Sequence, residues 1–176
     1  MAIFSRTLIC AGAAYAGIGS RETPASILAL MTDIARALDA AGMILRSGGA
    51  DGADNAFAKG ARIGHRQIFT PWKTFQPKEG PFLPDTIHLA GSPYELPAMK
   101  IASIYHPSWD IPEGKPGALT PGARRLHARN CQQVLGRDLG DLSRFVLCWT
   151  KNAAGGGGTG QALRIARGHG VPVFDL

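Results

Sequence analysis

The run Gly155-Gly156-Gly157-Gly158-Thr159-Gly160-Gln161 constrains this chain more than any other stretch. Before it, Arg144-Phe145-Val146-Leu147-Cys148-Trp149-Thr150 reads as a buried strand. After it, Ala162, Leu163, Ile165 and Ala166 recur at helical spacing. A strand, a glycine loop and a helix in that order suit an anion. Glycines let the backbone come close, and a helix start offers unpaired N–H groups and the positive end of a dipole. Thr159 adds a hydroxyl. A flexible linker would have the same glycines but no reason to sit between a strand and a helix.

Two similar punctuations occur earlier. Tyr15-Ala16-Gly17-Ile18-Gly19-Ser20-Arg21 leads into one helical pattern, and Leu45-Arg46-Ser47-Gly48-Gly49-Ala50-Asp51-Gly52-Ala53-Asp54 leads into another. Three strand-to-helix turns rich in glycine and small polar residues can converge at the carboxyl edge of a parallel sheet. The expected fold is therefore α/β: one Rossmann-like domain over residues 1–176, mostly parallel, with helices on both faces. At 176 residues the chain is long enough for one domain with a full core.

The pattern between the turns supports this. Ala13 to Ile18 reads as the first central strand. Thr23 is placed to cap a helix with Pro24 in its first turn. Ile27, Leu30, Met31, Ile34 and Leu38 then give that helix one apolar face. Met43-Ile44-Leu45 starts a second strand, Ala53 to Ile63 a second helix, and Arg66-Gln67-Ile68-Phe69 a short third strand. Residues 1–12 read either as an edge strand or as a loosely packed arm. From about 70 to 97 the pattern lapses into a long proline-rich loop, with Thr86-Ile87-His88-Leu89 as a short strand inside it. Trp72 and Phe75 in this loop either cover a ligand or pin the loop to the core.

Residues 95–105 read as a helix, and from Gly122 to Leu135 runs a basic one. Leu126, Asn130 and Val134 share a face of it, which places Arg129 and Asn130 near the buried side. Arg124 and Arg125 read as a solvated face. Val171-Pro172-Val173-Phe174 closes the chain.

The formal charge of +6 and pI near 9.6 favour anionic ligands, with nucleotides and single-stranded nucleic acid both fitting. Cys10, Cys131 and Cys148 lie far apart without CxxC spacing, which suggests a reducing compartment and no zinc site. No metal and no separate cofactor is expected. The apolar run Leu8 to Ile18 is broken by glycine and too short to span a bilayer, so a cytoplasmic protein without a signal peptide is expected.

Gly19-Ser20-Arg21, Ser47 through Asp54, Arg129-Asn130 and Gly157-Gly158-Thr159 together resemble motifs of the DprA/Smf and LOG-like proteins. These form the SLOG superfamily of Rossmann-like nucleotide binders. The resemblance covers roughly residues 13–176 and is greatest to small single-domain DprA-like proteins of phages and bacteria. It implies a nucleotide or nucleotide-derived ligand at the glycine turns, and self-association into a homo-oligomer. Gly19, Ser20 and Arg21 would meet a phosphate or ribose, and Ser47, Gly48 and Gly49 would form the neighbouring cradle. Asp54 would cap its helix or hold a hydroxyl. Arg129 would reach a phosphate with Asn130 bracing it. Thr150 and Gly156, Gly157, Gly158, Thr159 and Gly160 complete the expected ligand set.

Two departures bear on activity. Asp51 stands where the DprA pattern is usually basic, which suits ribose hydroxyls or a metal better than phosphate. Ala162 stands where LOG-like phosphoribohydrolases place the glutamate used in N-glycosidic cleavage. No catalytic residue is therefore assigned. A binding module that senses or sequesters a nucleotide is the leading reading. A nucleoside-monophosphate hydrolase and a DprA-like single-stranded DNA binder, using Arg124, Arg125, Arg129 and Lys151, are the alternatives.

Overall fold

Strand β1, Ala14–Gly17, is buried along its whole length, and its side chains alternate between two cores. Tyr15 joins one apolar cluster and Ala16 the other. A strand buried on both faces sits inside a parallel sheet covered by helices on each side. The computed structural model, which describes residues 8–78, 83–151 and 157–176, has that architecture.

In the described residues the order is β1, α1 (Ala25–Ala40), β2 (Ile44–Ser47), α2 (Ala53–Gly60), β3 (Arg66–Thr70), β4 (Thr86–His88), α3 (Glu95–Ile104), α4 (Pro121–Leu135), β5 (Val146–Cys148), α5 (Gly157–Gly168) and β6 (Val173–Asp175). The six strands form one sheet in the order β4-β3-β2-β1-β5-β6. Every neighbouring pair is parallel. Helices α1 and α2 cover one face through Met31, Ala35, Leu38, Ala56 and Phe57. Helices α3, α4 and α5 cover the other through Ala98, Ala102, Ala128, Cys131, Val134, Leu163 and Ile165. The expected α/β fold of Rossmann type is the observed one.

Three local expectations are corrected. Thr23 does not cap α1. The residue at the cap is Pro24, with no side-chain bond, and the Thr23 hydroxyl instead donates to the Ser20 carbonyl at 2.7 Å, closing the β1–α1 turn. The buried stripe of α1 is Met31, Ala35 and Leu38, with Ala35 at the close crossing with Gly60 of α2, while Leu30 remains 44% exposed. Helix α2 stops at Gly60 rather than Ile63. Just beyond it Arg62 leaves the helix and donates through Nε to the buried Asp39 carboxylate at 2.6 Å.

The short strand expected inside the proline-rich loop becomes β4, the sheet edge, with Ile68 in register with Thr86 and Thr70 with His88. Among the described residues no helix is long and apolar enough to cross a membrane.

Candidate functional site

Chain direction in the sheet reverses its order of addition at β1: β2, β3 and β4 lie on one side, β5 and β6 on the other. Loops leaving the carboxyl ends of β1 and β5 therefore part in opposite directions, and a crevice opens between them. A cleft of about 710 Å³ lies there. Its walls come from the β1–α1 turn, the turn after β2, the start of α5, and one side of α4.

Of the residues expected to bind a ligand, Gly19, Ser20, Arg21, Asp54, Arg129, Asn130, Thr150, Gly157, Gly158 and Thr159 all line this cleft. The other described ones lie elsewhere. Ser47 is fully buried and its hydroxyl donates to the Gly17 carbonyl at 2.7 Å, tying β2 to β1. Gly49 turns at φ +65° against Ile68 and Leu83. Gly160 is buried within α5. Asp51 lies on the flank formed with Leu28, Thr32, Asn55 and Lys59, and its Oδ2 accepts from the Lys78 amide at 3.1 Å. Gly156 lies outside the described residues.

At Gly48 the bare backbone makes room for Arg129. A Cβ built on this glycine would fall 1.3 Å from Arg129 Nη1 and 2.5 Å from Asp54 Oδ2. The guanidinium of Arg129 thus rests against the bare backbone of the second glycine turn. Its Nη1 stands 3.6 Å from Asp54 Oδ2, with the two side chains only 6% and 7% exposed. Phe75 closes the other side, its ring centroid 5.8 Å from Arg129 Cζ, and Trp72 stands edge-on to Phe75 at 5.7 Å. Phe75 therefore packs over the arginine, and Trp72 backs Phe75 near Gly122 of α4; neither lines the cleft.

Burial dominates the electrostatics of this pair. It pushes the Asp54 carboxyl above its ordinary range, against the pull of Arg129 and of the Ala50 and Gly48 amides. It also lowers Arg129, with Asp54 opposing. Arg129 Nε is buried without an acceptor among the described residues.

Asn130, one residue along α4, ties two turns together. Its Nδ2 donates to the Gly158 carbonyl at 3.1 Å and to Gln161 Oε1 at 2.9 Å. Gln133 continues the network. Its surrounding donors and acceptors orient the carboxamide with oxygen toward Gly48 N (2.9 Å) and Arg129 Nη1 (3.1 Å), and nitrogen toward Asn130 Oδ1 (2.9 Å). One run of hydrogen bonds therefore joins the turn after β2 to the start of α5. Thr150, at the end of β5, is held by Asp175 of β6, which accepts from its amide at 2.8 Å and from its hydroxyl.

Helix α5 begins at Gly157, inside the glycine run, so its first amides face the cleft beside Thr159. Arg21, on the opposite wall, makes no ion pair among the described residues. Lys151 and Glu22 meet across the mouth at 3.6 Å, both largely exposed. Cations outnumber carboxylates along the lining: Arg21, Arg129 and Lys151 against Glu22 and Asp54.

Several lining residues escaped the sequence reading: Glu22, Ala50, Ala123, Leu126 and Gln133. Gln133 was accessible, since Leu126, Arg129, Asn130 and Gln133 follow helical spacing along one stripe. Arg124 and Arg125 require a correction. Arg124 is engaged, donating to the Trp109 carbonyl at 3.1 Å and lying over the Trp109 ring, while Arg125 stays 43% exposed and pairs with Glu95 at 2.7 Å. Ala162 lines the cleft with a methyl group. Among the described residues no group of three His, Cys, Asp or Glu side chains is placed to hold a metal.

No protein-family model matches this chain, and no curated protein and no solved structure is significantly similar to it.

Proposed function

We propose that this chain binds a nucleotide or nucleotide-derived phosphate ester in the cleft between β1 and β5 and holds it without cleaving it. The observation that carries this is the meeting, in one cleft, of the first amides of α5, the Thr159 hydroxyl and Arg21, which has no ion-pair partner among the described residues. Helix-start amides beside a guanidinium favour an anion of phosphate type. A volume of about 710 Å³ accommodates a nucleotide rather than phosphate alone.

The chemistry of the lining favours holding over cleaving. Ala162 places no carboxylate beside the start of α5, and Asp54 is buried against Arg129. The Ser20 hydroxyl already accepts from the Glu22 amide at 3.0 Å. A binding module that senses or sequesters its ligand needs none of these groups as acid or base.

The test is a thermal-shift screen of the purified chain against nucleoside mono-, di- and cyclic phosphates and ADP-ribose-type compounds, with chromatography of each mixture. A rise in Tm that scales with ligand concentration, with the ligand recovered intact, is expected. Recovery of free base would make the chain a hydrolase. No shift with any of them, together with steeply salt-dependent retention of single-stranded DNA, would replace this reading by nucleic-acid binding.

A further inference from the structure

Helix α4 supplies one wall of the cleft, and that wall changes character along its length. Its second half presents Arg129, Asn130 and Gln133; its first half presents Ala123, Leu126 and His127. The centres of the two groups lie about 8 Å apart at the rise of an α-helix. Polar contacts tie the second half to Asp54, Gly48 and Gly158. The first half has no charge facing the cleft, because Arg124 and Arg125 turn away to Trp109 and Glu95. Ala162, opposite, adds another apolar group.

His127 belongs to this uncharged wall. Its ring lies against His106, with centroids 4.1 Å apart, and its Nδ1 is buried with no hydrogen-bond partner among the described residues. Packed in this way, the imidazole is a flat neutral surface rather than a cation. Flat, neutral and apolar surfaces beside an anion site are what a planar heterocycle needs.

Resting on the reading of the cleft as a nucleotide site, we infer that the first half of α4 seats the uncharged ring of a nucleoside phosphate. His127 and Leu126 are then the residues that distinguish such a ligand from a bare sugar phosphate. The phosphate lies toward Arg21 and the start of α5, and the ring lies against Leu126 and the face of His127. An aromatic face and an aliphatic side chain reject little by shape, so the wall selects for the presence of a ring more than for one base.

The experiment compares adenosine 5′-monophosphate with ribose 5-phosphate by calorimetric titration of the full chain. The wild type is expected to bind the nucleotide at least tenfold more tightly. Leu126→Ser and His127→Ala should bring that ratio toward one, while His127→Phe, which keeps a flat ring, should restore it. Arg21→Ala should weaken both ligands by a similar factor and leave the ratio intact. If the wild type binds both equally, or if His127→Ala and Leu126→Ser weaken both in parallel, the ring seat is wrong while the phosphate site stands. If neither ligand binds the wild type, the nucleotide reading itself falls, and the ring seat with it.

Discussion

Arg129 occupies the space that a side chain at position 48 would need, its Nη1 lying 1.3 Å from the position of a Cβ on Gly48. Gly48→Ala should therefore expel a buried guanidinium from its ion pair. A loss of roughly 2–4 kcal/mol in urea unfolding is expected. In an Arg129→Ala background the same substitution should cost much less, and a double-mutant cycle should give a coupling of at least about 1 kcal/mol. Additive effects would show that the glycine serves some other contact.

Among the described residues Asp54 is the only carboxylate paired with Arg129. Asp54→Asn leaves a buried cation without its counter-ion, at an expected cost of about 3–5 kcal/mol. Replacing both members, Asp54→Asn with Arg129→Met, should recover a good part of that loss because no buried charge is then stranded. Denaturant midpoints of the two variants check the order. A double variant no more stable than the single one would show that Arg129 is compensated from elsewhere.

Asn130→Ala removes the donor to both Gly158 and Gln161. Its effect on stability should be modest, about 1–2 kcal/mol for the loss of buried hydrogen bonds. Its effect on binding should be larger, since the start of α5 loses its link to the turn after β2. Affinity for a nucleoside monophosphate should fall about tenfold, a 1.4 kcal/mol change, while the far-ultraviolet circular dichroism is unchanged. Unaltered affinity would mean that α5 holds its own position.

Stability should carry a signature of His127. Burial, with His106 adding, brings this imidazole down from its usual value to about 4. Above pH 6.5 the ring is neutral in folded and unfolded chains alike, and its contribution is fully present. Between pH 6.5 and about 4 only the unfolded chain takes up the proton, so stability is lost as the pH falls. After discount for the solvent-exposed part of the ring, about 1–2 kcal/mol is at stake. The difference in Tm between wild type and His127→Phe, followed from pH 7 to 4, should change in favour of the variant. A constant difference would place the imidazole in solvent.

The strand–glycine–helix turns made the fold legible, because a helix-period pattern after each turn leaves little choice but a parallel sheet covered on both faces. They also brought ten expected residues into one cleft. What the sequence concealed was direction. Whether a turn residue faces the ligand or the backbone beside it depends on contacts far along the chain. Gly48 is set by Arg129, and Asp51 by Lys78. Arg124 and Arg125 look like a solvated pair until Trp109 and Glu95 are brought beside them. Leu30 fits the apolar period of α1, yet the side turned inward is the one where Ala35 meets Gly60 of α2.

The pairing of β1 with β5 aligns Ala16 with Val146 and Gly17 with Leu147. Strands β1 to β4 can associate through nearer segments, whereas this one seam joins regions far apart in sequence. Long-range closures of this kind are late events in folding. The cleft lies on that seam, so its walls meet only when folding is nearly complete. Binding competence then becomes a clock for the final step: after dilution from urea, nucleotide binding should return more slowly than helical circular dichroism.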